Sequence, residues 1–175
     1  MSWRMTPGTR KLAVTLHVAV AVGWLGLDLG LLTLGVTGLA SRDPRTAQAA
    51  YRAMGILGDV LVIPVSLATL LTGVLLGLGT RWGLLRYYWV LAKLVLTLAA
   101  ALASTFALRA TIHRAVAGLP AAGQPVDPGA AGISLVVAPT VALLVYGTAT
   151  VLSVYKPWGR VRRTNRRTST LRSPA

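Results

Sequence analysis

Residues 12–39 read LAVTLHVAVAVGWLGLDLGLLTLGVTGL. This run is apolar for longer than the roughly 20 residues that a helix needs to cross a bilayer. It also carries His17, Trp24 and Asp28 in a chain that has two His and four acidic residues in all. At 100° per residue, Trp24 and Asp28 fall within about 20° of His17, so the three share one helical face. An ionisable group placed inside such a segment is a functional-site hypothesis by default.

Three further runs have the same character: residues 56–79, 87–108 and 131–154. Of the 175 residues, 54% are hydrophobic and 13% charged, far from the balance of soluble domains. The expected fold is an all-α integral membrane domain over residues 1–155, a four-transmembrane-helix bundle. It is followed by a basic tail, 156–175, with too little apolar surface to fold alone. The first run is about twice the length of a signal-peptide apolar region, so it is expected to be retained as a span. With the N-terminus inside, twelve Lys and Arg lie on the inner side and five on the outer side, so the positive-inside rule gives N-in and C-in. Arg far outnumbers Lys, and Ala, Gly, Leu and Val dominate, the composition of a GC-rich bacterial genome. The expected location is the bacterial cytoplasmic membrane. The expected partners are the bilayer, with anionic inner-leaflet lipid on the tail, and a second copy of the chain as a homo-oligomer. Nucleic-acid binding lacks aromatic or fold support.

Asp43-Pro44 has the form of a helix N-cap with proline at the first helical position. The helix starting there should run into the second span and bend near Gly55, Gly58 and Pro64. The third span should continue past Arg109 to about Ala117 and stop at Gly118. Trp82, Tyr87, Tyr88 and Trp89 form an interfacial aromatic belt. Gly26-x3-Gly30 and Gly73-x3-Gly77 permit close helix approach.

Helical rise sorts the polar residues by depth. His17 lies about 8 Å into the first span and Lys93 about 10 Å into the third, both from the inner side. Asp28 lies about 24 Å along the first span, towards the outer side, where Asp59, Arg109 and Ser104 are also expected. Two polar layers follow: His17 with Lys93 inside, and Asp28 and Asp59 with an outer arginine. His17 either hydrogen-bonds a neighbouring helix or acts as a ligand or proton carrier. Lys93 either snorkels to inner headgroups or holds an anion. Asp28 is read as pairing with an arginine. His113 is placed as an exposed residue beyond the outer end of the third span. No catalytic constellation is visible. The absence of Cys excludes disulfides, thiolate metal sites and cysteine nucleophiles.

The pattern Leu16-His17, Gly23-Trp24-Leu25-Gly26 and Trp89-Val90-Leu91-Ala92-Lys93-Leu94 resembles an uncharacterised actinobacterial integral membrane family related to the copper resistance D family. More distantly it is similar to the HemJ-type membrane protoporphyrinogen oxidases. The resemblance spans about Lys11 to Arg109. It implies haem b as a cofactor, with His17 as an axial ligand, Trp24 beside it and Lys93 on a propionate or anionic substrate. Ser104 stands where those proteins tend to carry a second His on the lysine-bearing helix. His113 is some 25–30 Å from His17 along the membrane normal by helical rise, too far for one iron. No metal ligand other than His17 is expected, because the three Met are dispersed and Cys is absent. Three functions compete: a structural, accessory or small-solute membrane protein without enzymatic activity; a haem or porphyrin redox protein using His17; and a proton- or ion-coupled transporter using Asp28 and Asp59.

Overall fold

The computed structural model describes residues 5–79 and 87–155. The basic tail, Arg81, Trp82 and Arg86 lie outside them. Four long helices make up the fold: α1 (Pro7–Ala40), α2 (Pro44–Gly79), α3 (Tyr88–Ala117) and α4 (Gly129–Tyr155). All four are long and apolar enough to cross a membrane. At 34 and 36 residues, α1 and α2 run about 51 and 54 Å by helical rise, well beyond a hydrocarbon core of about 30 Å.

Local sequence sets the helix ends. Thr6 caps α1 by accepting from the Thr9 N–H at 3.3 Å, with Pro7 next in line. Asp43 caps α2, as its Asp-Pro sequence predicts, by accepting from the backbone N–H groups of Arg45 and Thr46 and from the Thr46 hydroxyl. Those Thr46 and Arg45 donors hold the exposed Asp43 carboxyl below the usual carboxylate range. The third span does continue past Arg109, ending at Ala117 with Gly118 as its cap. Gln48 is buried in the first turns of α2 and donates its side-chain amide to the carbonyls of Ala121 and Gln124, both at 3.1 Å. The connection between α3 and α4 is thereby tied down to α2.

Two helices widen to π turns, at Gly58–Val62 in α2 and Ala103–Leu108 in α3. The first immediately precedes Pro64, whose ring and missing N–H disrupt an ordinary α turn. It falls where the glycines and proline had predicted a bend. The second has no proline or glycine within it.

The helices run up and down in sequence order, and α4 closes against α1. Met5 at the start of α1 bonds Gly79 at the end of α2, while Lys93 early in α3 meets Ser153 late in α4. The buried face of α1 is Trp24, Asp28, Leu31, Gly35 and Gly38, a four-three-four-three spacing that forms one seam. That of α4 includes Gly132, Leu135, Pro139, Ala142 and Tyr146. The interior thus combines small, aromatic and polar side chains with aliphatic ones such as Leu31 and Leu135. The outside is aliphatic, with Leu12 at 70% and Leu144 at 67% exposure, the distribution suited to lipid rather than water.

Three levels stack along the bundle. At the loop end, Leu31, Tyr51, Met54, Ile112 and Leu135 form a solid core. In the middle, Trp24 and Tyr146 pack with Ala101 and Ala142. At the end holding both chain termini the bundle opens into a cavity.

The α1–α4 seam is close at Gly35, where a β-carbon would lie 2.6 Å from the Leu135 carbonyl oxygen. That atom belongs to a helix backbone and cannot rotate away. Gly35→Ala is therefore expected to lower stability by about 1–3 kcal/mol through overpacking, read from denaturant unfolding in detergent micelles.

Candidate functional site

The cavity has a volume of about 660 Å³ and is bounded by α1, α2, α3 and the end of α4. His17, Trp89 and Lys93 line it, with Arg10 and Lys11 from the first turns of α1. The structure therefore brings His17 and Lys93 together, as their matching depths predict. Apolar walls from Val14, Leu70, Val74 and Leu94 complete it. Three cationic side chains thus share the lining with apolar and hydroxyl-bearing ones, a mixture complementary to an amphiphilic anion.

His17 is held in one orientation by α2. Its Nδ1 lies 2.9 Å from Thr72 Oγ1. The Thr72 hydroxyl donates its single hydrogen back to its own helix, at 2.7 Å from the Ala68 carbonyl and 3.1 Å from that of Thr69. When the Thr72 hydrogen is on the Ala68 carbonyl, Thr72 accepts from the ring, and in that tautomer Nδ1 carries the N–H and Nε2 the lone pair. Nε2 has no hydrogen-bond partner among the described residues. Gly73 makes room for the ring, since a β-carbon there would come within 3.3 Å of His17 Cε1.

Lys93 is anchored in a similar way. Its ammonium donates to Ser153 Oγ, whose own hydrogen goes to the Ala149 carbonyl at 2.9 Å. Nζ also lies 5.8 Å from the centre of the Trp89 ring, within cation–π range. Two N–H donors of the ammonium remain for a ligand. Thr72 and Ser153 were missed by sequence reasoning, because a hydroxyl in a membrane helix ordinarily bonds its own backbone, as these two also do.

The remaining predicted residues are sorted differently from the two-layer expectation. Trp24 does not line the cavity. It packs against Tyr146 with ring centroids 5.0 Å apart. Asp28 and Asp59 do not form one network. Asp59 Oδ1 accepts from Arg109 Nη2 at 2.7 Å and from His113 Nε2 at 2.9 Å, in a solvent-accessible cluster at the α2–α3 seam. Asp28 is buried on α1 and makes no ion pair with an arginine among the described residues. Ser104 is buried beside Tyr146 rather than with Asp59. His113 is exposed, as placed, but it is also a partner of Asp59. The signal for that was its i+4 spacing from Arg109, which puts both on one face. Among the described residues no group of three or more His, Cys, Asp or Glu is arranged to hold a metal ion.

Comparison of the chain with protein-family models, with curated proteins and with solved structures gives no match in any of the three.

Proposed function

We propose that this is a multi-pass membrane protein with an accessory, ligand-holding role, whose terminal-end cavity takes an amphiphilic anion, with haem b as the ligand of choice. One observation carries this reading: Thr72 holds His17 through Nδ1, which leaves Nε2 for a ligand, in a cavity that is also lined by three cationic side chains. A metal-ligating histidine characteristically donates its other ring N–H to a protein acceptor, which sets its tautomer and raises its basicity. Here Thr72 is that acceptor.

The residues present fit haem. His17 would supply a nitrogen ligand to the iron, and it is the one imidazole lining the cavity. Lys93, Arg10 and Lys11 would hold the propionates, and the aliphatic walls would exclude water from the ring. Bound haem would supply a one-electron centre. Among the described residues the lining holds no carboxylate to pair with His17. With the termini on the cytoplasmic side, as the basic residues predict, the cationic mouth lies at the inner leaflet and the basic tail on anionic lipid. Transport through Asp28 and Asp59 has less support, because the two carboxyls belong to separate clusters.

The test is the visible spectrum of the full chain, purified in mild detergent from haem-replete cells. A Soret band is expected, lost in His17→Ala and retained with lower haem occupancy in Lys93→Met. A colourless preparation, or an unchanged band in His17→Ala, rejects haem ligation by His17.

A further inference from the structure

Asp28 is only 1% exposed, and its Oδ2 has no hydrogen-bond partner. The hydroxyl oxygen of Tyr146, on the facing helix α4, is also buried and also lacks one. They are two of the four buried side-chain polar atoms without a partner among the described residues, and the two that face each other across the α1–α4 seam call for a common explanation. Neither residue lines the terminal-end cavity, so the question is independent of what that cavity binds.

Among the described residues no cation pairs with Asp28. On α1, Trp24 is one turn before Asp28 and is placed to donate its indole N–H to the carboxyl. On α4 the facing group is Tyr146, and α3 contributes the buried Ser104. Around the Trp24–Tyr146 pair, α2 contributes Val65, and α3 and α4 contribute Ala101 and Ala142. An isolated carboxylate in such a setting is strongly disfavoured unless it is paired or neutralised.

We propose that Asp28 carries a proton in the folded protein and forms, with Tyr146 and Ser104, a proton-binding site in the middle of the bundle. Hydrogen-bond inventory supports it. A carboxylate only accepts, whereas a carboxylic acid adds one O–H donor. With that donor the chain can run from the Asp28 O–H to the Tyr146 oxygen and from the Tyr146 O–H to Ser104 Oγ, while the indole of Trp24 donates to the other carboxyl oxygen. Each orphaned atom then has a role. The proton comes from the aqueous phase during folding, and no other bond is made or broken.

Infrared spectroscopy of the full chain in lipid at neutral pH tests this. A protonated-carboxyl C=O band is expected, shifted by deuterium oxide and absent in Asp28→Asn. Tyr146→Phe should move the band to higher frequency, because the carboxyl then has one hydrogen bond fewer. Asp28→Asn, which keeps the shape without a charge, should unfold at the same temperature as the wild type or higher. The proposal is overturned by the absence of the band from the wild type or by its persistence in Asp28→Asn. Stabilisation of the wild type, but not of Asp28→Asn, by sodium or potassium also overturns it, since a metal cation would then take the proton's place. A band that ignores Tyr146→Phe removes Tyr146 from the site.

Discussion

On the proposed haem reading, Gly73→Leu is expected to lower haem content by at least about tenfold, a loss of some 1.4 kcal/mol or more in binding, while the protein still folds. Gly73 sits on the α2 face that receives His17, and even a β-carbon there would be 3.3 Å from Cε1. A leucine side chain extends beyond that atom into the cavity and competes with the ligand for the same space. The helix itself gains, because glycine is about 0.8–1.0 kcal/mol less favourable than alanine in a helix and leucine ranks next to alanine. Gly73→Ala should be intermediate, since the imidazole need give way by only a few tenths of an ångström. Haem per protein from the absorption spectrum, set beside a thermal melt, separates a blocked site from a misfolded chain. Full haem content in Gly73→Leu would place the ligand elsewhere.

Depth along the bundle was legible in the sequence, but direction around each helix was legible only in part. His17 and Lys93 were matched by helical rise alone, and they share a cavity. The same arithmetic paired Asp28 with Asp59, and here it misleads. Asp28 lies about 18 Å before the end of α1 and Asp59 about 22 Å after the start of α2 by helical rise, so depth does not distinguish them. Face does: Asp28 turns into the α1–α4 seam, whereas Asp59 turns outward to Arg109 and His113. The assumption that a buried acid seeks an arginine also failed for Asp28, which instead has aromatic and hydroxyl neighbours. The two hydroxyl anchors, Thr72 and Ser153, depend on which helices are neighbours, and no local pattern encodes that. The π turn of α2 had a sequence cause in Pro64, while that of α3 had none that a propensity argument would find.

Tyr51 is the side chain on which the loop end depends most, and its two truncations should behave in opposite ways. Tyr51 is 2% exposed and sits in the core with Leu31, Met54 and Leu135. Its ring lies over Gly38 of α1, where a β-carbon would be 2.7 Å from Cζ, and its hydroxyl reaches Gly132 of α4, where one would be 3.0 Å away. One residue of α2 thus fills the space that two glycines leave open on the neighbouring helices. Tyr51→Ala should lower stability by about 3–5 kcal/mol, the range for emptying an aromatic site in a packed core. Tyr51→Phe should be neutral or stabilising, because the hydroxyl is buried without a partner and its removal relieves an unsatisfied group. Denaturant unfolding of both variants in detergent or lipid measures the difference. A clear loss in Tyr51→Phe would show that the hydroxyl is hydrogen-bonded after all. Because the ligand cavity lies at the other end of the bundle, beyond the Trp24–Tyr146 layer, the folded fraction of Tyr51→Ala should keep its haem per molecule. Stability and occupancy then vary separately, Tyr51 governing the first and Gly73 the second.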